Sequence, residues 1–231
     1  MFLPLINDDK KFVVFWNAKA GCTAVKRWYL STVGIDPDTV NPHKFLASKQ
    51  SYFNQFEVKR RLESDYYTFI VARNPWKRIV SYYKNKKVEV GWKNTTWPID
   101  VRIRDMNSEN FSFRDLVEFV CKTPDNYLEQ HLQSQTSQLD GVRFDNIVRL
   151  ENYKNGMEKV CDILDISQRD FRNTNKSKVT SNKELVCDLR PSDFSEDNMP
   201  TYECFYDEEL KNKVAKKFAK DIQFFNYNFE D

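Results

Sequence analysis

Apolar residues gather into short runs separated by polar turns. Lys11–Trp16, "KFVVFW", is β-branched and aromatic and predicts a buried strand. The run stops at Asn17, and "TAVKRWYLSTV" follows as a helix that ends near Gly34 and Pro37. A second run, Tyr66–Ala72 ("YYTFIVA"), leads into the helix "NPWKRIVSYYKNKK". There Asn74 stands where an N-cap belongs and Pro75 at the first helical position. A third, "FDNIVRLEN" around Ile147–Leu150, precedes the helix "YKNGMEKVCDILD". Three strand–helix units in series imply an α/β fold, a three-layer sandwich with a central parallel sheet flanked by helices.

Two further helices stand outside that series. "SFRDLVEFVCK" is amphipathic, and "DEELKNKVAKKFAKDI" sets Leu210, Val214 and Phe218 on one face, with acids first and lysines later as the helix dipole favours. Residues 84–140 differ from their surroundings and read as an insertion within a single domain spanning residues 1–231. "RPSDFSEDNMP" reads as a loop.

The composition narrows the class. Thirty-six Lys and Arg against 34 Asp and Glu leave +2, which argues against nucleic-acid binding by bulk attraction. Five scattered cysteines show no CxxC or Cys/His spacing, so zinc is not expected and reduced thiols are. "MFLPLI" is too short for a signal peptide or a membrane span, and a cytoplasmic protein without an integral membrane segment is the expectation.

"NAKAGCT" joins the first strand to its helix through a tight turn at Gly21, with Thr23 near the helix start. Helix N-termini present unpaired N–H groups and a partial positive charge, and Lys19 adds a full one. The kinase version of this device, GxxxxGK[ST], is not met, because the lysine precedes the lone glycine and the second strand ends in Arg73 rather than a magnesium-binding Asp. An arginine leaving a strand tip can grip phosphate with two prongs, and Arg78, Ser81 and Tyr82 share a face of the helix that follows.

Together, "AKAGCTAVKRW" and "VARNPWKRIVSYY" resemble the paired signature of the sulfotransferases that use 3′-phosphoadenosine-5′-phosphosulfate, especially their carbohydrate branch. "YLEQHLQSQTSQL", "FDNIVRLENY" and the closing helix extend the resemblance over most of the chain. The resemblance implies that Lys19 touches the sulfuryl group and the bridging oxygen. Ala20, Gly21, Cys22 and Thr23 would then wrap the 5′-phosphate, and Arg73 and Ser81 hold the 3′-phosphate. It implies sulfuryl transfer to a hydroxyl acceptor, a glycan, with no metal. An ATP-dependent kinase of P-loop type and a catalytically inactive nucleotide- or glycan-binding protein are the rival readings.

A histidine suits the task of taking the acceptor's proton, and the chain has only two. His43, just after the first helix, lies where several carbohydrate sulfotransferases place their base. His131 and Gln135, four apart in the "EQHLQSQ" segment, could equally line an acceptor cleft, His131 as the base and Gln135 as a substrate contact. Glu151 fits a structural or orienting role better than catalysis. The loop Asn173–Asn182 is basic and hydroxyl-rich, and a plain solvated loop is its simplest reading. Trp92, Trp97, Arg102 and Arg104 form the candidate acceptor wall, since aromatic faces and arginines suit acidic sugars.

Overall fold

The computed structural model describes residues 4–49, 55–85, 111–137, 139–167, 184–194 and 199–231. The chain folds into two compact units, Met1–Arg73 with Gln135–Asn175, and Asn74–Ser134 with Lys176–Asp231.

The first unit carries the sheet. Its strands are β1 (Leu5–Asn7), β2 (Phe12–Trp16), β3 (Tyr67–Ala72) and β4 (Asn146–Arg149), in that spatial order. β2, β3 and β4 run parallel, with Val14 opposite Phe69 and Val71 opposite Val148. All three answer to the apolar runs in the sequence. β1 does not: it is an antiparallel edge strand with Leu5 opposite Val14, so the sheet is mostly rather than wholly parallel. Three residues are too few to show a pattern. What makes the hairpin is its turn, where Asn7 Oδ1 accepts the Lys10 N–H at 2.8 Å and Lys11 takes a positive φ of 47°.

Helices α1 (Cys22–Thr32), α2 (Pro42–Lys49) and α3 (Gln55–Leu62) lie between β2 and β3 in the chain, and a later helix, Tyr153–Ile163, follows β4. Phe12, Val14, Phe69 and Val71 meet Val25, Trp28 and Leu30 of α1 and Met157, Val160 and Cys161 of that later helix in one core. The Trp28 ring lies 5.2 Å from that of Phe12 and edge-on to Phe69 at 5.7 Å. Crossover helices covering a parallel sheet explain why these strands read as unbroken apolar runs.

The second unit is helical: α4 (Pro75–Tyr83), α5 (Phe113–Lys122), and, beyond Tyr153–Ile163 (α6), α7 (Glu208–Lys217) and α8 (Ala219–Phe225). Asn74 caps α4 as its sequence predicts, its Oδ1 accepting from the N–H groups of Trp76 and Lys77 at 3.0 and 3.3 Å. Ser112 and Asp115 close a capping box on α5. Phe113, Phe205, Tyr83, Leu210, Val214 and Phe218 fill the core of this unit. The closing helix is not continuous. Phe218 leaves helical geometry at φ −105°, ψ 29°, and the chain restarts as α8 with Asp221 wholly buried.

Candidate functional site

In the first unit β2 ends at Trp16, and five residues, Asn17 to Gly21, turn the chain into α1. The Ala20 N–H donates to the Asn17 carbonyl at 3.2 Å, which closes the turn. Lys19 and Gly21 both adopt left-handed backbone, at φ 62° and 73°. For lysine that conformation is costly, and surrounding contacts must hold it. One such contact is visible: Arg73 Nη1, at the tip of β3, donates to the Lys19 carbonyl at 2.9 Å. Left-handed residues in a turn orient successive N–H groups toward one point, the arrangement of an anion nest.

Gly21 is the N-cap of α1, and no side chain caps that helix end. A Cβ on Gly21 would stand 2.5 Å from Leu150 Cδ1, so the turn is pressed against the residue that follows β4. Lys19, Gly21, Cys22 and Thr23 are all partly exposed around this end, while Ala20 is buried beneath it. The geometry suits an anion with several oxygens.

Arg73 is fixed from the other side by Gln135. The Arg73 N–H donates to Gln135 Oε1 at 3.0 Å, and Gln135 Nε2 donates to the Arg73 carbonyl at 2.8 Å. Gln135 is 2% exposed, and its amide pairs with the backbone just past the last parallel register position.

His43 joins this constellation. Its Nε2 lies 3.0 Å from Thr23 Oγ1 and its Nδ1 3.2 Å from Lys26 Nζ. Lys26 was not singled out by sequence, because a lysine in a helix reads as a solvated face. Here it is 6% exposed, with its ammonium 3.7 Å from the centroid of the Trp16 ring. Burial pushes its pKa down, and the Cys22 thiol opposes the shift. The available signal was spacing: Thr23 and Lys26, three apart on a helix, share a face.

In the second unit, Ser81 is half-buried on α4. Arg78, on the same helix, is a core residue, 2% exposed, donating to the carbonyls of His131 (3.3 Å) and Gln133. Burial lowers its pKa, opposed by Asp221, Asp125 and Glu129. His131 pairs through Nδ1 with Glu129 and lies against the Tyr82 ring. Burial, with the Glu129 charge beside it, pushes the Tyr82 phenol far above its ordinary range. Glu151 is exposed in the turn after β4. Trp92, Trp97, Arg102, Arg104 and the Asn173–Asn182 loop lie outside the described residues.

Among the described residues, no group of three or more His, Cys, Asp or Glu is arranged to hold a metal, and no helix is long and apolar enough to cross a membrane. All five cysteines carry free thiols. No curated protein and no solved structure matches the chain. The profile of the Sulfotransferase family matches residues 4–228, nearly the whole sequence and the segments of both units, and the chain is a transferase belonging to that family.

Proposed function

We propose that this protein transfers a sulfuryl group from 3′-phosphoadenosine-5′-phosphosulfate to a hydroxyl of a carbohydrate acceptor. The observation that carries the donor assignment is the open, glycine-turned N-terminus of α1, with Lys19 held in left-handed backbone by Arg73. The donor supplies sulfur in an activated anhydride, whose cleavage leaves negative charge on the departing phosphate. The chain's own groups suit that charge. The N–H groups of Gly21, Cys22 and Thr23 bind the 5′-phosphate, with Ala20 closing the turn beneath them, and the Lys19 ammonium stabilises the bridging oxygen as it leaves. Arg73 and Ser81 take the 3′-phosphate.

His43 is assigned the acceptor's proton, because it is the histidine that contacts the cradle threonine. His131 is the comparator. Gln135 acts on the Arg73 backbone, which supports the nucleotide side of the site. The acceptor side is assigned to the segment carrying Trp92, Arg102 and Arg104. Preorganised donors and positioning account for such a transfer without a metal ion.

The test begins with titration calorimetry of adenosine 3′,5′-bisphosphate, with and without magnesium, beside ATP. Binding that ignores magnesium and weakens in Lys19→Ala supports the reading. Sulfuryl transfer from the donor to a panel of neutral and acidic glycans then identifies the acceptor class. Binding of ATP with magnesium, and none of the bisphosphate, would replace this reading with a kinase.

A further inference from the structure

Asn74 uses both halves of its side-chain amide. Its Oδ1 caps α4, and its Nδ2 donates to the backbone oxygen of Asn228 at 2.7 Å and, at 3.4 Å, to that of Asp231. The residue is 0% exposed, so neither half can turn to water. Capping needs only an acceptor, and aspartate or serine would serve α4 as well. The donor half is what asparagine adds. Turned over, the amide would set its oxygen against the carbonyls of the segment and its N–H groups against those of α4. The segment it holds, Asn228–Asp231, closes on itself where the Asn228 N–H donates to Asp231 Oδ2 at 2.7 Å. Phe229 anchors it. The Phe229 carbonyl accepts from the Tyr202 hydroxyl at 2.7 Å. Its ring stands edge-on to Trp76 and Tyr206, at 5.7 and 5.4 Å, and against Tyr202 at 5.3 Å. The Lys211 ammonium covers the same ring, 4.6 Å from its centroid. Trp76 belongs to the first turn of α4, so the ring and the amide hold that turn at two points.

We propose that Asn74 is a positioning residue for the 3′-phosphate: by holding the Asn228–Asp231 segment, it sets the helix that carries Ser81. The nucleotide half of this assignment rests on the reading above, in which Ser81 takes that phosphate. Ser81 lies seven residues beyond Asn74, two turns along α4, so a shift of the first turn moves its hydroxyl. Asn74 also follows Arg73 directly in the chain. The donor half of the cap ties α4 to a carbonyl 154 residues away, which capping by itself does not require. These contacts lie in the second unit, whereas the 5′-phosphate cradle belongs to the first. Losing them should therefore weaken the hold on the 3′-phosphate and spare the 5′-phosphate.

Two variants release the segment by different means. Asn74→Asp keeps the cap and turns the donor half into an oxygen facing carbonyls. Phe229→Ala removes the anchor and adds no charge. Hydrogen exchange should be faster at residues 228–231 and in the first turn of α4 in both variants, with α1 unchanged. Calorimetry then compares adenosine 3′,5′-bisphosphate with adenosine 5′-monophosphate, which lacks the 3′-phosphate. The preference for the bisphosphate should fall about tenfold in both variants, while the affinity for the monophosphate changes less than about twofold. Loss of a support for the whole fold would weaken both ligands alike. A freed segment in Phe229→Ala with the wild-type preference overturns the proposal. So does a drop confined to Asn74→Asp, which its new charge would explain. Should either variant fail to fold, Tyr202→Phe removes only the bond to the Phe229 carbonyl. A smaller drop in the same preference is then expected, and an unchanged preference overturns the proposal. Intact bisphosphate binding and sulfuryl transfer with an unmoved preference sinks this proposal alone. A wild type that binds neither nucleotide sinks its nucleotide half together with the proposed function.

Discussion

Arg73 Nη1 donates to the carbonyl of Lys19 at 2.9 Å, so a side chain at the tip of β3 supports the backbone of the turn that follows β2. The two strands are parallel neighbours, and their C-terminal ends therefore lie on the same edge of the sheet. Ligand sites of parallel sheets form at that edge. The bond couples the two sequence motifs: the second motif's arginine stabilises the conformation of the first motif's lysine.

Replacing Arg73 should therefore hurt twice, through a lost charge and through a loosened Lys19. A hydrogen bond to a charged group is worth about 1.5–3 kcal/mol. Arg73→Ala should weaken adenosine 3′,5′-bisphosphate binding by roughly 10- to 100-fold. Arg73→Lys should recover little, since a single ammonium cannot serve both the Lys19 carbonyl and a phosphate with the planar fork of arginine. Calorimetry on the two variants checks this, and near wild-type affinity in Arg73→Lys would count against a shared role.

Gly21 supplies a second check. Alanine there must adopt φ 73° and place its Cβ 2.5 Å from Leu150 Cδ1. The left-handed conformation costs about 1–2 kcal/mol for a residue with a Cβ. The leucine contact is with the end of a side chain that can shift. Gly21→Ala should lose about that much stability in urea denaturation, and Gly21→Ala with Leu150→Ala should regain only the steric part. Full recovery in the double variant would mean that crowding, and not backbone strain, sets the glycine's place.

Much of this arrangement was legible from the chain. β2 and β3 are buried on both faces and so appear as unbroken apolar runs, β4 shows through Ile147 and Val148 alone, and the Asn74–Pro75 pair marked the start of α4 through cap chemistry that is local. The parts that were not legible depend on distant partners. β1 is three residues long and owes its place to pairing with β2. α2 has a starting signal in Asn41–Pro42, but its two turns are too short for a clear periodicity. The break at Phe218 keeps the pattern of Leu210 and Val214 running through it, and only the non-helical backbone of Phe218 marks it. Lys26 and Arg78 look like surface charges at helical positions. Their burial comes from Trp16 in one case, and from the carbonyls of His131 and Gln133 with an acidic surrounding in the other.

Acid should act on the first unit through Asp8. Arg61 grips its carboxylate with two bonds, Nε to Oδ1 at 2.7 Å and Nη2 to Oδ2 at 2.8 Å, and Tyr66 donates a third at 2.6 Å. The Arg61 hydrogen bonds hold the Asp8 pKa down, from the ordinary 3.8 to about 2, against a smaller opposing effect of burial. A carboxyl whose pKa is depressed by folding stabilises the fold above its unfolded value. That contribution is present above about pH 4 and is lost as the pH falls toward 2. Asp8→Asn lacks it, so the gap in urea midpoint between wild type and variant should close over this window. A gap that stays constant from pH 5 down to pH 2 would show that the contacts do not depend on the charge.

The last expectation concerns Arg78, whose burial would be hard to sustain without compensation. Its guanidinium donates to two backbone carbonyls, stands 5.7 Å from the centre of the Phe218 ring, and feels the charges of Asp221 and Asp125. Asp221 is itself wholly buried and accepts from the Ser134 hydroxyl at 2.5 Å. Arg78→Met keeps much of the volume but leaves carbonyls without their donor and removes a positive charge that acts on the buried Asp221 carboxylate. Leaving a buried polar group without its partner costs about 1–3 kcal/mol. Asp221→Asn in the same background removes the stranded charge while preserving an acceptor for Ser134. The double variant should thus be more stable than Arg78→Met alone, and a double-mutant cycle in urea should show strong coupling. Simple additivity would mean that Arg78 is held by its carbonyl bonds and packing, independently of the Asp221 charge.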